Sequence, residues 1–403
     1  MSILTYNNKV VLNPNQTHWV ANSVIPIPAY TTRFLFAQPQ TEQSLASCGY
    51  HNGNGGYWTR INDVVWQYTY ESNSWAYEFK YSQFSGLLPE CMIVGGNLGP
   101  IYTDAVFYGQ TNITQAHLNS IHHWPEEFSG CTSLTAVKID ATLNCPNSNS
   151  YSGDPITYFE IGEFDGSSIY GSSAFDLPYC TTFKIGSCPN VTEITNQAFT
   201  DVGNDTHSYD FVTITIGDCP NLTSLNQAFQ GSRARTIKIG ATPLLEDVSY
   251  AFDLCSRLLH GVQLDTSNVT NCNHMYHSCS DMIDCPDYDL SSVGTTSNTN
   301  VFSSMFESCA DLEAVPQFKY YDGLDAAACI TGSQMFANCR SLTDGAYRFY
   351  VQMSGDRDHW NDVYGAAPLP SPMFHVQPDS NNVFAGSQST EPGWQYVNSG
   401  WKD

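Results

Sequence analysis

Positive charge is scarce in this 403-residue chain: 15 Lys and Arg face 39 Asp and Glu, a formal net charge of −24. A surface of that sign repels phosphate backbones and anionic lipid headgroups, which excludes nucleic acid and an acidic bilayer as natural partners. Charged residues of both signs make up only 13% of the chain, so it does not read as a charge-rich disordered protein. Its polar surface has to come from Asn, Ser, Thr, Gln and Tyr, a composition that suits extracellular or virion surfaces. No run approaches the roughly 18 apolar residues of a membrane span, and no membrane insertion is expected. The opening residues MSILTYNNKVVLNPNQTHWV show no basic segment leading into an apolar run and a small-residue cleavage site. The expectation is a chain that is not exported by a signal of its own. The G-x-x-x-x-G-K-[ST], H-E-x-x-H and G-x-S-x-G motifs are all missing.

Cysteine is plentiful, at 14 residues. An even count in a secreted chain suggests a disulfide framework, but without a leader free thiols are the first expectation. The positions are more telling than the count. Five segments share aromatic-x-x-Cys-x-x-apolar: FSGCTSL (128–134), FDLCSRL (252–258), YHSCSDM (276–282), FESCADL (306–312) and FANCRSL (336–342). Two more carry Cys-Pro-Asn-apolar-Thr and end in Gln-Ala-Phe, at 188–199 and 219–229. The marker aromatics fall at 128, 175, 199, 229, 252, 276, 306 and 336, mostly 23 to 30 residues apart, with one interval of 47. A repeat of that length is one supersecondary unit that cannot bury its apolar face alone, so units must stack into a solenoid. Apolar pairs ahead of the aromatics predict short strands at Phe159–Ile161, Phe183–Ile185, Ile214–Ile216, Ile237–Ile239 and Val262–Leu264.

The expected core is therefore Phe128, Cys131, Leu134, Cys188, Phe199, Cys219, Phe229, Phe252, Cys255, Leu258, Tyr276, Cys279, Phe306, Cys309, Leu312, Phe336, Cys339 and Leu342. Equivalent cysteines would form a ladder at strand spacing, about 4.8 Å. Disulfide Cβ atoms sit near 3.8 Å with a defined torsion, so these thiols are expected to be small buried hydrophobes.

The units DTSNVTNCNHMYHSCS (265–280), VFSSMFESCADL (301–312) and QMFANCRSL (334–342), with the Cys-Pro-Asn-apolar-Thr segments, resemble the BspA-like leucine-rich repeat proteins. The likeness covers about 125–345. It implies a leucine-rich-repeat-type α/β solenoid, with short parallel strands on one side and short helical turns carrying the Ala-Phe or Met-Phe pair on the other. The family is known from bacterial surface proteins that bind host or partner surfaces, and similar repeats occur in phage proteins. Lacking an evident export or sorting signal, this chain resembles the phage-encoded group more than the bacterial surface examples.

The ends differ from the array. Residues 1–85 read as a β-rich domain or cap, with strands at 8–12 and 31–37 and a hairpin over 63–81. Trp66, Tyr68 and Tyr70 share one face of that hairpin, and Trp75, Tyr77, Phe79 and Tyr81 the other strand; core packing explains them better than sugar stacking. HNGNGGYW (51–58) reads as a turn. Residues 86–127 are expected to connect through a strand at 91–96 and a helix over 112–124, capped by Asn112 with Gln115 and burying Ile113, His117, Ile121 and Trp124. Residues 346–403 read as an irregular cap or tail whose Phe384, Trp394, Tyr396 and Trp401 need cover.

Candidate chemistry is thin. Two Cys and two His within CNHMYHSC (272–279) could supply four zinc ligands. In register with the repeat, however, Cys272, Met275, Tyr276 and Cys279 point to the core, and His274 and His277 to other faces. No metal or cofactor is expected. Asp287 with Asp289, and Asp356 with Asp358, are the nearest carboxylate pairs for a glycosidase-type reaction. Asp356, Asp358 and Asp362 form an acidic loop without an EF-hand pattern. Asn-x-Thr at Asn112, Asn190, Asn221 and Asn268 reads as a structural turn. The expected function is a non-enzymatic virion protein of a tailed bacteriophage, on tail or capsid surface. Its partners would be other virion proteins or a host-surface protein or glycan, within a larger assembly, homo-oligomers included. A bacterial cell-surface adhesin and a carbohydrate-active enzyme are the alternatives.

Overall fold

The computed structural model describes residues 4–6, 9–12, 31–36, 38–46, 56–61, 63, 65–70, 89–94, 109, 111, 113–121, 128–142, 145, 154–171, 174–204, 212–293, 301–319, 332–354, 356, 358–365 and 382–403. In chain order the elements are β1 Leu4–Tyr6, β2 Lys9–Leu12, β3 Thr31–Phe36, α1 Glu42–Leu45, β4 Gly56–Arg60, β5 Val65–Tyr70, β6 Pro89–Val94, β7 Gln115–Ile121 and β8 Ala136–Thr142. There follow β9 Tyr158–Phe164, β10 Ser168–Tyr170, β11 Thr182–Ser187, β12 Glu193–Thr195, β13 Thr213–Asp218, β14 Thr236–Ile239, β15 Tyr288–Asp289, β16 Phe318–Lys319, α2 Ala346–Ser354, α3 Trp360–Tyr364 and α4 Ser399–Lys402. Two compact units result: residues 1–166 with 174–187 and 205–208, and residues 167–173 with 188–204 and 209–403. The architecture is a parallel-strand solenoid with few helices.

In the first unit, β6, β7, β8, β9 and β11 run parallel in that order, with Cys91 opposite Gln115, Gln115 opposite Ala136, Ala136 opposite Tyr158 and Tyr158 opposite Thr182. β3, β5 and β4 extend the sheet antiparallel from β6. The parallel ladder thus begins at β6, well ahead of the repeat segments recognised in the sequence. One expectation is overturned here: residues 115–121 are a strand, not a helix. The capping pattern and the Ile113–His117–Ile121 spacing are real, but β6 and β8 flank the segment and offer backbone partners on both edges, which outweighs a local helix preference. Residues 56–58, expected within a turn, begin β4, where Trp58 packs against Phe34 at 5.4 Å and Tyr68 at 5.1 Å. Trp66 and Tyr68 are buried. The second half of the expected hairpin, 71–81, lies outside the described residues, as do Asn112 and Trp124.

Glycine is required where these strands end. A Cβ on Gly162 would lie 2.6 Å from the Asp140 carbonyl oxygen, and one on Gly186 2.4 Å from that of Gly162. Each rung there presses its backbone onto the rung before. Thr135, Thr157 and Thr181 each donate a hydroxyl to the carbonyl of the preceding rung, at 3.1–3.2 Å. On the outward face, Lys138 pairs with Glu160 at 3.3 Å and His117 Nε2 with Asp140 at 2.8 Å.

In the second unit the ladder passes from strands to turns. β13 pairs parallel with β14, and β15 with β16 over two residues. β10 pairs parallel with β12 over three residues; elsewhere the rungs meet through single bridges and turns, and among the described residues the expected helical turns do not form. In the Cys272–Cys279 rung, the N–H groups of residues 272, 274, 276 and 278 donate forward to the carbonyls of Val301, Ser303, Met305 and Glu307. Met275, His277 and Cys279 donate back to Cys272, His274 and Tyr276 within the rung. Two left-handed residues four apart impose this alternation: 227 with 231, 250 with 254, 274 with 278, 304 with 308, 334 with 338 and 382 with 386. A left-handed residue cannot continue a right-handed helix, so the chain turns at each one.

The core of this unit is a column of seven stacked rings, Phe199, Phe229, Phe252, Tyr276, Phe306, Phe336 and Phe384, with centroids 4.8–5.6 Å apart. Phe384 belongs to a rung absent from the sequence reading. Residues 382–390 stack on 334–342, with Phe336 N–H on Val383 O and Asn338 N–H on Ala385 O, both at 2.8 Å. Beyond 345 the chain also forms α2, whose first two N–H groups, of Ala346 and Tyr347, are held by the buried Glu391 carboxylate. Trp401 is covered by Tyr350, and Trp394 by Phe384.

The fifth expected strand, Val262–Leu264, does not form. Val262 and Leu264 still face inward, but Val262 N–H donates to the Tyr276 hydroxyl at 2.8 Å. Tyr288 donates its own hydroxyl to Val262 O at 2.8 Å, and the two phenols meet at 2.6 Å. Tyrosine in place of the repeat's phenylalanine thus supplies the partners that a strand neighbour would have given.

Candidate functional site

All eighteen residues expected in the core are buried, none more than 1% exposed. They do no chemistry at a surface. The eleven described cysteines carry free thiols. The ladder thiols have a specific partner: Cys255, Cys279, Cys309 and Cys339 each donate to the carbonyl of the aromatic one rung earlier, Phe229, Phe252, Tyr276 and Phe306, at 3.0–3.2 Å. Ser387 takes this place in the last rung, donating to Phe336 O at 2.5 Å. Burial pushes these thiols up, Cys339 to about 12, so they are protonated donors at neutral pH. A small side chain carrying one proton is what the position demands.

CNHMYHSC is divided as the repeat register implies. Cys272 and Cys279 are fully buried, while His274 stacks on Tyr250 at 4.6 Å and His277 Nδ1 meets Asp253 Oδ1 at 2.7 Å. Among the described residues no three His, Cys, Asp or Glu side chains are placed to share a metal ion.

The two histidines belong to a polar ladder on the turn face of the second unit. Gln197 donates to Gln230 at 2.8 Å, Gln230 to Asp253 at 2.6 Å, and His277 closes on the same carboxylate. Ser278 Oγ lies 3.3 Å from His277 Nε2, which completes a Ser–His–Asp sequence. A nucleophile also needs donors for an oxyanion. Here the N–H groups of His277, Ser278 and Cys279 are committed to His274, Glu307 and Tyr276 carbonyls, at 3.2, 2.7 and 3.1 Å. The constellation is a hydrogen-bonded network whose neighbouring backbone donors are already engaged. The Asp253 hydrogen bond, against the desolvation of burial, raises the His277 pKa. Burial, and then repulsion from His277, lowers that of His274.

The carboxylate pairs are likewise engaged. Asp287 accepts the Gln317 N–H at 2.7 Å, and Asp289 accepts Lys319 Nζ at 2.7 Å and the Ser291 hydroxyl at 2.5 Å. Asp356 accepts the Tyr350 hydroxyl at 3.0 Å, and Asp362 pairs with His359 at 3.0 Å, with Asp358 exposed beside them. The Asp-x-Ser turns recur at Asp247 and Asp265, where one carboxylate oxygen takes both N–H and hydroxyl of the serine two residues on. The carboxylates of Asp247, Asp265 and Asp289 are thus turn-forming. The Asn-x-Thr segments are structural in the same sense: Asn221 and Asn268 donate to the carbonyls of Pro189 and Pro243 at 2.8 Å, and Thr223 and Thr270 to Thr192 and Glu246. No described helix is long and apolar enough to cross a membrane. No family model, curated protein or solved structure matches the chain.

Proposed function

We propose that this chain is a non-enzymatic structural and binding protein of a tailed bacteriophage particle, on tail or capsid surface. In this reading it is a leucine-rich-repeat solenoid of the BspA-like kind, and it presents its repeat surface to other virion proteins or to a host-surface protein or glycan. The observation that carries the reading is the polar ladder Gln197–Gln230–Asp253–His277, whose side chains are tied to one another across successive rungs. The half-exposed Gln197, Gln230 and His277, held in this way around the buried Asp253, lose little entropy when a partner docks. An ordered polar column repeated along a stack is suited to extended contact. The resemblance of the 265–280, 301–312 and 334–342 units to repeats found in phage proteins supports the location. Mass spectrometry of purified particles tests it: the chain should be recovered in stoichiometric amount. Recovery instead by surface shaving of intact bacteria would assign it to a cell-surface adhesin. Release of reducing ends from host polysaccharide would assign it to an enzyme.

A further inference from the structure

The second unit contains a groove of about 440 Å³ along the open edge of β14, lined by Arg235, Lys238 and His260 among others. It exists because the next rung leaves the sheet. Leu259 N–H still reaches Arg235 O at 3.2 Å, but Gly261 N–H turns to Asp284 O at 2.8 Å and Val262 N–H to Tyr276. Gly261 permits this, since a Cβ there would lie 2.4 Å from Cys285 Sγ. The chain from His260 onward therefore runs with the rung after it, and β14 is left with an uncovered edge.

The charge of this groove is opposite to that of the molecule. Arg233, Arg235 and Lys238 put three of the chain's 15 Lys and Arg within six residues. Among the described residues neither Arg235 nor Lys238 has an ion-pair partner, and Lys238 is exposed. His260 gives Nδ1 to Asp284 at 2.9 Å, which leaves Nε2 for another contact. Lys138 and Lys319, by contrast, are paired with Glu160 and Asp289. Unpaired cations around a concave, largely apolar space of this size are what a small anionic ligand requires.

We infer that this groove binds a carboxylated sugar, a uronic-acid unit of an acidic saccharide, with Arg235 and Lys238 on the carboxylate. The half-buried Ile239 offers an apolar flank for a ring face, and Thr236 and Gln263 supply hydroxyl and amide partners. The net charge of −24 repels ligands in proportion to their charge, so one carboxylate per sugar is favoured over a polyphosphate or a highly sulfated chain. The groove stands on its own residues. Only the natural source of the sugar, a host-surface glycan, rests on the function proposed above.

The test is titration of the full chain with trigalacturonic acid, its methyl ester, inorganic phosphate and a short glutamate peptide, followed by calorimetry. The acid should bind, with the ester at least tenfold weaker, and rising salt should weaken the acid alone. The variant R235Q/K238Q, which changes a half-buried and an exposed side chain, should lose at least tenfold affinity with its unfolding midpoint unchanged. Acid binding that ignores the ester or the variant, no acid binding, or tighter binding of phosphate or the glutamate peptide would overturn the assignment. A chain that binds the acid yet is missing from purified particles would keep the groove and sink the particle reading. A particle protein indifferent to the acid would do the reverse.

Discussion

A rung in the first unit and a rung in the second solve the same problem by different means. In the first unit β9 and β11 are strands of seven and six residues, whose parallel ladder consumes the backbone donors and acceptors and presses rung onto rung at Gly162 and Gly186. From Val248 to Leu342 strands shrink to two residues or vanish, and left-handed turns share their hydrogen bonds between one rung and the next. Non-glycine residues in that conformation cost about 1–2 kcal/mol each. What offsets them is the ring column and the thiol ladder beneath the turns. The first unit is thus specified by backbone fit and the second by side chains.

That division can be broken by experiment. The largest effect is expected where the ring column is cut: Phe306→Ala, which loses stacking on both Tyr276 and Phe336, should cost about 3–5 kcal/mol in urea unfolding. In the first unit the matching weakness is backbone space. Gly186→Ala should cost about 3 kcal/mol, because the Gly162 carbonyl cannot move without opening the ladder. Gly231→Ala, in the second unit, meets only the Thr200 methyl at 3.7 Å and should cost about 1 kcal/mol for its left-handed backbone. Equal costs at Gly186 and Gly231 would remove the distinction.

Tyr276→Phe sharpens the comparison at the point where strand gives way to turn. It keeps the ring column but leaves Val262 N–H buried without its acceptor, at a cost of about 2 kcal/mol. Phe252, one rung earlier, is already the repeat's phenylalanine, so Tyr276→Phe would be neutral if the ring alone mattered.

How far the sequence carried the fold follows from the same division. Side-chain periodicity was legible: Cys279, Phe306 and Leu312 are recognisable because every rung needs the same small thiol, ring and aliphatic at one depth. The backbone was not. Leu254, Ser278 and Ser308 are left-handed without a glycine to announce it, so the turns between them looked helical. Residues 115–121 carry a helix-like spacing that only their two strand neighbours overrule. The rung at 382–390 escaped notice because Ser387 replaces the marker cysteine, although a hydroxyl meets the same carbonyl. The polar ladder was invisible for a different reason: Gln230, Asp253 and His277 are 23 or 24 residues apart and become neighbours only once the rungs stack. The groove at β14 depends on a rung leaving the sheet, which no local pattern marks.

The smallest expected effect lies in that ladder and concerns pH. His277 has a folded pKa above its ordinary 6.5, so its contribution is fully present below about pH 6.5 and is lost as pH rises through the folded value. His274 lies below its ordinary 6.5, so its contribution is present above that pH and is lost as pH falls through its own folded value. Each is worth less than about 1 kcal/mol, as expected for partly exposed pairs. The two losses lie on opposite sides of pH 6.5, so the wild-type profile should show a shallow maximum near that pH. His277→Gln removes the alkaline-side loss and leaves the acid-side one in place. It also relieves the repulsion across the 5.3 Å between the rings, so the His274 midpoint followed by NMR should move upward while staying below 6.5, because burial remains the larger cause. An unmoved His274 midpoint in that variant would show that the two rings, though adjacent on the turn face, titrate independently.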